Sequence, residues 1–147
     1  MNKFSFSLLA VLLLTSSAAF ANFTGRWQGQ GKVTDISGGT LRCDVIQFRV
    51  DQTTSALKIL QGYIYCKPQE LKVADMSLRI YQDGLYLDGD KIGSISDDSI
   101  RLSYIRKDGI RVRSLARLKD SKLQYQEEWM DKDNNRVLFF QGLLTRQ

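Results

Sequence analysis

The 147-residue chain contains no histidine, one proline, two cysteines and two tryptophans. Without histidine it lacks the commonest general base, the usual zinc and copper ligand, and the usual haem ligand. Serine–histidine catalysis and histidine-built metal or haem sites are therefore excluded. The chain also has no Gly-rich phosphate loop and no carboxylate pair whose spacing demands catalysis, so neither an enzymatic activity nor a cofactor is expected. A dense Lys/Arg run with interleaved aromatics is missing too, which argues against nucleic acid as a partner. No linker, low-complexity tract or internal repeat divides the chain.

Long apolar runs are absent except at the start. Residues 1–21 have a short n-region with Lys3, an apolar stretch from Phe6 to about Leu14, and the small-residue ending Ala19-Phe20-Ala21. This pattern reads as a secretory signal cleaved after Ala21. A membrane anchor is the alternative, but the apolar run is short for a span of ~20 residues. The expected mature chain, 22–147, has the length of one domain, carries no transmembrane span, and works in the periplasm or outside the cell. Of the 21 Lys and Arg only Lys3 lies in the leader, whereas all 16 Asp and Glu follow it, so the mature net charge is +4. Export places Cys43 and Cys66 in an oxidising compartment, where they are expected to pair.

The rest of the chain alternates. From Phe23 to Gly31 apolar or small odd positions interleave with polar even ones, the period of a strand with one wet face. Turn signals recur about every ten residues, as in Ser37-Gly38-Gly39, Lys67-Pro68, Asp88-Gly89 and Asp108-Gly109. Between the turns lie strands near 23–33, 40–50, 56–66, 71–81, 85–88, 91–96, 99–106, 110–118, 122–130 and 136–145. Only 70–77 has room for a helical turn. Short links favour an antiparallel up-and-down meander, and closing it removes both exposed edges. An all-β barrel of about 8–10 strands is preferred over a sandwich.

Two hairpins carry register information. Cys43 and Cys66 lie nearly equidistant from Thr53-Thr54 and can face each other across that hairpin. Along the first arm the apolar set Leu41, Cys43, Val45 changes phase to Ile46, Phe48, Val50, which predicts a bulge near Val45-Ile46. Its partner set is Leu60, Gly62, Ile64 and Cys66, with Tyr63 and Tyr65 on the other face. At Asp108-Gly109 a two-residue loop puts Tyr104 opposite Arg113. A three-residue loop with left-handed Gly109 pairs Tyr104 with Val112, Leu102 with Ser114 and Ile100 with Ala116. The second register is favoured, because it keeps Arg101, Arg111, Arg113 and Arg117 off the apolar face, where burial without partners costs several kcal/mol each.

Phe23-x-Gly25-x-Trp27 near the head of an exported β-rich chain resembles the first-strand signature of the calycin superfamily, which includes lipocalins, avidins and fatty-acid-binding proteins. Trp27-Gln28-Gly29-Gln30-Gly31 is similar to the Trp-x-Gly-x-Gly run of nitrobindin-type ten-stranded barrels. The haem-ligating histidine of that type is absent here, so haem chemistry does not carry over. The resemblance implies a barrel that binds or carries a small, largely apolar molecule in its lumen. It also implies an arginine of the last strand over the first-strand tryptophan, for which Arg146 is the candidate.

Strand parity assigns the candidate lumen lining as Trp27, Phe48, Leu60, Ile64, Leu102, Tyr104, Val112, Tyr125, Glu127 and Trp129. Trp27 reads first as a structural plug closing one barrel end. Glu127 shares a face with Leu123, Tyr125 and Trp129, so it lies either in the lumen, where it must be neutralised, hydrated or paired, or at a hydrated mouth. The alternative function is an envelope interaction protein whose outer arginine ladder, Arg101, Arg111, Arg113 and Arg117, docks an anionic lipid or envelope surface. Asp131-x-Asp133-x-Asn135 resembles the opening of a calcium loop but lacks its glycine and closing glutamate, so a hairpin turn is expected.

Overall fold

The computed structural model describes residues 21–147, and the predicted leader, Ala21 apart, lies outside them. Every regular element among these residues is a strand: β1 (Gly25–Asp35), β2 (Thr40–Gln52), β3 (Ala56–Cys66), β4 (Gln69–Val73), β5 (Met76–Tyr81), β6 (Gly84–Leu87), β7 (Asp90–Ile95), β8 (Ser99–Ile105), β9 (Arg111–Lys119), β10 (Lys122–Met130) and β11 (Arg136–Arg146). The first strand pairs antiparallel with both β2 and β11, so the sheet closes on itself. The closed ring is β1-β2-β3-β5-β6-β7-β8-β9-β10-β11, a ten-stranded meander.

β4 and β5 are one strand interrupted. Gly62 opposes Val73 and Ile59 opposes Met76 in a single register along β3. The interruption at Ala74-Asp75 lies across from Leu60-Gln61, where Gln61 adopts a φ of 51°. Its freed N–H donates to Asp75 Oδ1 at 2.9 Å. The stretch 70–77 is therefore extended, with this break in place of a helical turn.

Side-chain period 2 determines what goes inside. On β10 Leu123 and Tyr125 are buried while Lys122, Gln124 and Gln126 are exposed. On β2 the predicted phase change is present: Gly29 opposes Ile46 but Gly31 opposes Cys43, leaving Asp44 and Val45 opposite the single Gln30. Cys43, Ile46, Phe48 and Val50 all point inward as a result. The Asp108-Gly109 hairpin takes the three-residue register, with Tyr104 opposite Val112, Leu102 opposite Ser114 and Ile100 opposite Ala116. Gly109 has φ 84° and donates its N–H to Arg106 O at 2.9 Å. Cys43 and Cys66 form a disulfide joining the neighbouring strands β2 and β3.

Close packing of β1 against β11 depends on glycine. A Cβ on Gly29 would collide with the carbonyl oxygen of Leu143, and one on Gly31 with that of Gln141. The Ile46 side chain fills the space above Gly31 and Gly142. One end of the barrel is sealed by Phe23 and Trp27, whose indole Nε1–H donates to Phe23 O at 2.8 Å. Fully burying side chains of this size stabilises by about 1.5–3 kcal/mol each, which makes the plug a major part of the core.

Candidate functional site

The opposite end of the barrel is open. Its wall is made by the β1–β2 turn at Asp35 and Gly39, the β3–β4 turn at Cys66 and Gln69, and the facing parts of β10 and β11. These enclose a pocket of about 350 Å³ whose apolar surface comes from Val33, Ile64, Leu71, Trp129, Leu138 and Phe140. Deeper in the barrel is a second cavity of about 70 Å³, bordered by Phe48, Ile59, Met76, Leu102, Tyr104, Tyr125 and Glu127 among others.

Between the two lies a compact polar cluster on β10. Tyr125 Oη donates to Glu127 Oε2 at 2.6 Å, and Trp129 Nε1 donates to Glu127 Oε1 at 2.7 Å. Residues 125, 127 and 129 meet because alternate residues of a strand share a face. Phe48 packs on Tyr125 with ring centroids 5.0 Å apart, and Phe140 on Trp129 at 5.8 Å. At the rim the Arg106 guanidinium carbon lies 4.5 Å from the Trp129 ring centroid, while Nη2 holds Asp108 Oδ2 at 2.8 Å.

Burial dominates the electrostatics of this cluster. Glu127 retains some accessible surface, but that surface adjoins the inner cavity. Desolvation pushes its carboxyl above the usual value, and the hydrogen bonds from Tyr125 and Trp129 and the charge of Arg106 only partly oppose the shift. The Tyr125 phenol is pushed well above 10.0, first by burial and then by the Glu127 charge. Tyr104 moves up for the same two reasons. The cluster therefore keeps both phenols protonated and makes an ionised Glu127 costly unless a donor or cation joins it.

Of the residues assigned to the lumen by parity, Phe48, Leu102, Tyr104, Tyr125 and Glu127 border the inner cavity, and Ile64 and Trp129 border the open pocket. Val112 is buried opposite Tyr104 and Trp129 but borders neither space. Trp27 is likewise buried in the closed end, away from both. Leu60 is a correction: it opposes Arg49 on the outer face, because the irregularity at Gln61 shifts the phase of β3 and puts Leu57 and Ile59 inside instead. Parity also missed Met76 and Phe140. Met76 follows the unforeseen strand break, whereas Phe140 alternates inward with Leu138 and was open to the same rule.

The four arginines lie on the outer face, Arg101 and Arg113 exposed and Arg111 and Arg117 partly buried. Arg117 Nε faces Asp98 at 3.7 Å, and Arg111 donates to Asn134 at 3.1 Å. Asp131 closes the β10–β11 turn by accepting the N–H groups of Asp133 and Asn135, both at 2.9 Å. Among the described residues no group of three His, Cys, Asp or Glu is placed to hold a metal, and no helix is long and apolar enough to cross a membrane. No protein-family model matches the chain, and no curated protein matches its sequence.

Proposed function

We propose that this protein is an exported barrel that binds or carries a small, largely apolar molecule at its open end. The observation that supports this reading is the apolar pocket of about 350 Å³ above a half-buried Tyr125–Glu127–Trp129 cluster. Its size and its few converging polar groups are those of small-molecule sites. The inner cavity of about 70 Å³ takes only a small part of such a ligand, so most of the binding surface lies outside the Trp129 divider. Burial of on the order of 300 Å² of apolar ligand surface would supply about 7 kcal/mol, which corresponds to a Kd of about 10 μM before association costs. In this reading the protein is not an enzyme, and Glu127 orients the ligand rather than reacting with it.

Native mass spectrometry of protein purified from its own source, combined with titration of an environment-sensitive hydrophobic dye, tests the reading. A co-purifying small molecule, or a saturable dye signal lost in Trp129→Ala, is expected. Protein that carries nothing and leaves the dye unchanged overturns it.

The second reading, docking to an anionic envelope surface, rests on Arg101 and Arg113, exposed on neighbouring outer strands. The ladder is partly engaged, since Arg111 and Arg117 have the partners described above. Binding to anionic vesicles that falls steeply with salt would favour this reading, because exposed charges are screened beyond about 8–10 Å at physiological ionic strength. Its absence would sink it.

A further inference from the structure

The binding site is defined by the cavity; its charge decides what chemistry it accepts. Although the chain carries 21 basic against 16 acidic residues, no lysine or arginine is among the residues that border either cavity. The carboxylates that face them are Asp35 at the open pocket and Glu127 at the inner one, whereas Glu70, also at the open pocket, turns its side chain to the outer face, where Tyr63 Oη donates to it at 3.2 Å. Arg106, at the rim, stacks on the Trp129 ring and is held by Asp108.

We infer that the ligand of the open end carries a positively charged organic ammonium group on an apolar body. The inference rests on the binding role proposed above and adds the class of ligand. Three features support it. Glu127 accepts one hydrogen bond on each oxygen and has lone pairs left for a further donor, which an ammonium supplies and a carboxylate does not. The rings of Trp129, Phe140, Tyr104 and Tyr125 line the route past it, and aromatic faces attract cations. Asp35 is anchored as a carboxylate by the Ser37 hydroxyl and by the N–H groups of Ser37 and Gly39, which lower its pKa, so the rim stays negative at neutral pH. An anionic amphiphile would meet the same carboxylates as repulsion, and the base at the rim, Arg106, is already paired with Asp108.

Three probes of equal chain length separate charge from apolar burial: hexylammonium, hexanol and hexanoate, titrated at neutral pH by calorimetry and tryptophan fluorescence. Hexylammonium is expected to bind about tenfold more tightly than hexanol, and hexanoate about tenfold more weakly, the scale of one partly desolvated charge contact. Glu127→Gln should bring hexylammonium down to the affinity of hexanol and leave hexanol unchanged. Asp35→Asn, at the exposed rim, should reduce the preference by a smaller factor, with urea unfolding checking that the β1–β2 turn it anchors is retained. Hexanoate binding as tightly as hexylammonium, or a preference that survives both substitutions, overturns the inference. Equal binding of all three by the wild-type protein also overturns it while leaving apolar binding intact, whereas binding of none overturns both.

Discussion

The guanidinium carbon of Arg146 lies 4.7 Å from the centroid of the Trp27 ring, and Arg146 Nη2 donates to Asn22 O at 2.7 Å. The last strand thereby clamps the residues that lead into the first strand, at the seam where β1 and β11 close the barrel. This is the arginine–tryptophan contact that the resemblance to calycins implied. Stacking over tryptophan and a charge-assisted hydrogen bond at an exposed position together stabilise by about 1–2 kcal/mol. Arg146→Ala should lower stability in urea by that amount, and Arg146→Lys by less. No difference between Arg146→Ala and wild type would mean that Trp27 is held by its burial and its bond to Phe23 O alone.

Glu127 should give the protein a distinctive pH dependence. Its carboxyl is raised above the model-compound value of 4.5, with burial the largest cause. A raised acid is easier to ionise in the unfolded chain, so its favourable contribution is full below about 4.5 and is lost as pH rises through the elevated folded value. The groups facing it are Tyr125, Trp129, Tyr104 and Arg106, and the two phenols are pushed upward, away from that window. Melting temperatures of wild type and Glu127→Gln compared from about pH 4 to about pH 8 should show wild type losing ground to the variant as pH rises. Asp35 and Asp131, both depressed by turn hydrogen bonds, lose their contribution only at lower pH and cancel in the comparison. A constant difference across the range would show that Glu127 is not desolvated.

The disulfide closes a loop between residues 23 positions apart. Loop-closure entropy on this scale corresponds to on the order of 3 kcal/mol. Cys43→Ser/Cys66→Ser should therefore melt roughly 10 °C below wild type. Free thiols detected by alkylation of protein isolated from its own source would contradict the pairing in the cell.

Fold and register were legible because they follow from local rules. The ten strand regions follow from alternation and turn residues, the three-residue loop at Gly109 from the cost of burying arginine, and the bulge near Val45 from a visible change of phase. The irregularity at Gln61 left no such trace. Gln61 is neither glycine nor asparagine, and the Asp75 carboxylate that satisfies its N–H is fourteen residues away. Leu60 was misplaced for that reason. The cluster around Glu127 was visible as a carboxylate among aromatics, but strand parity cannot tell a filled interior from an open one. That distinction depends on how Trp129, Tyr125 and Phe48 pack across the barrel.

The glycines at the seam can be ranked by what a methyl group would meet. At Gly31 it would strike the backbone oxygen of Gln141 as well as Ile46 Cδ1, whereas at Gly142 its closest neighbour is Ile46 Cδ1 at 2.7 Å and no backbone atom lies nearer than 3.4 Å. Backbone in a closed barrel cannot retreat, but the end of an isoleucine can rotate. Gly31→Ala should therefore cost at least the 1–3 kcal/mol or so typical of overpacking, and Gly142→Ala distinctly less. Adding Ile46→Val removes the δ-methyl group, so it should relieve Gly142→Ala and leave Gly31→Ala unrescued in a double-mutant cycle read from urea midpoints. Rescue of both, or equal costs at the two glycines, would mean that β1 and β11 are not in the close backbone contact on which barrel closure depends.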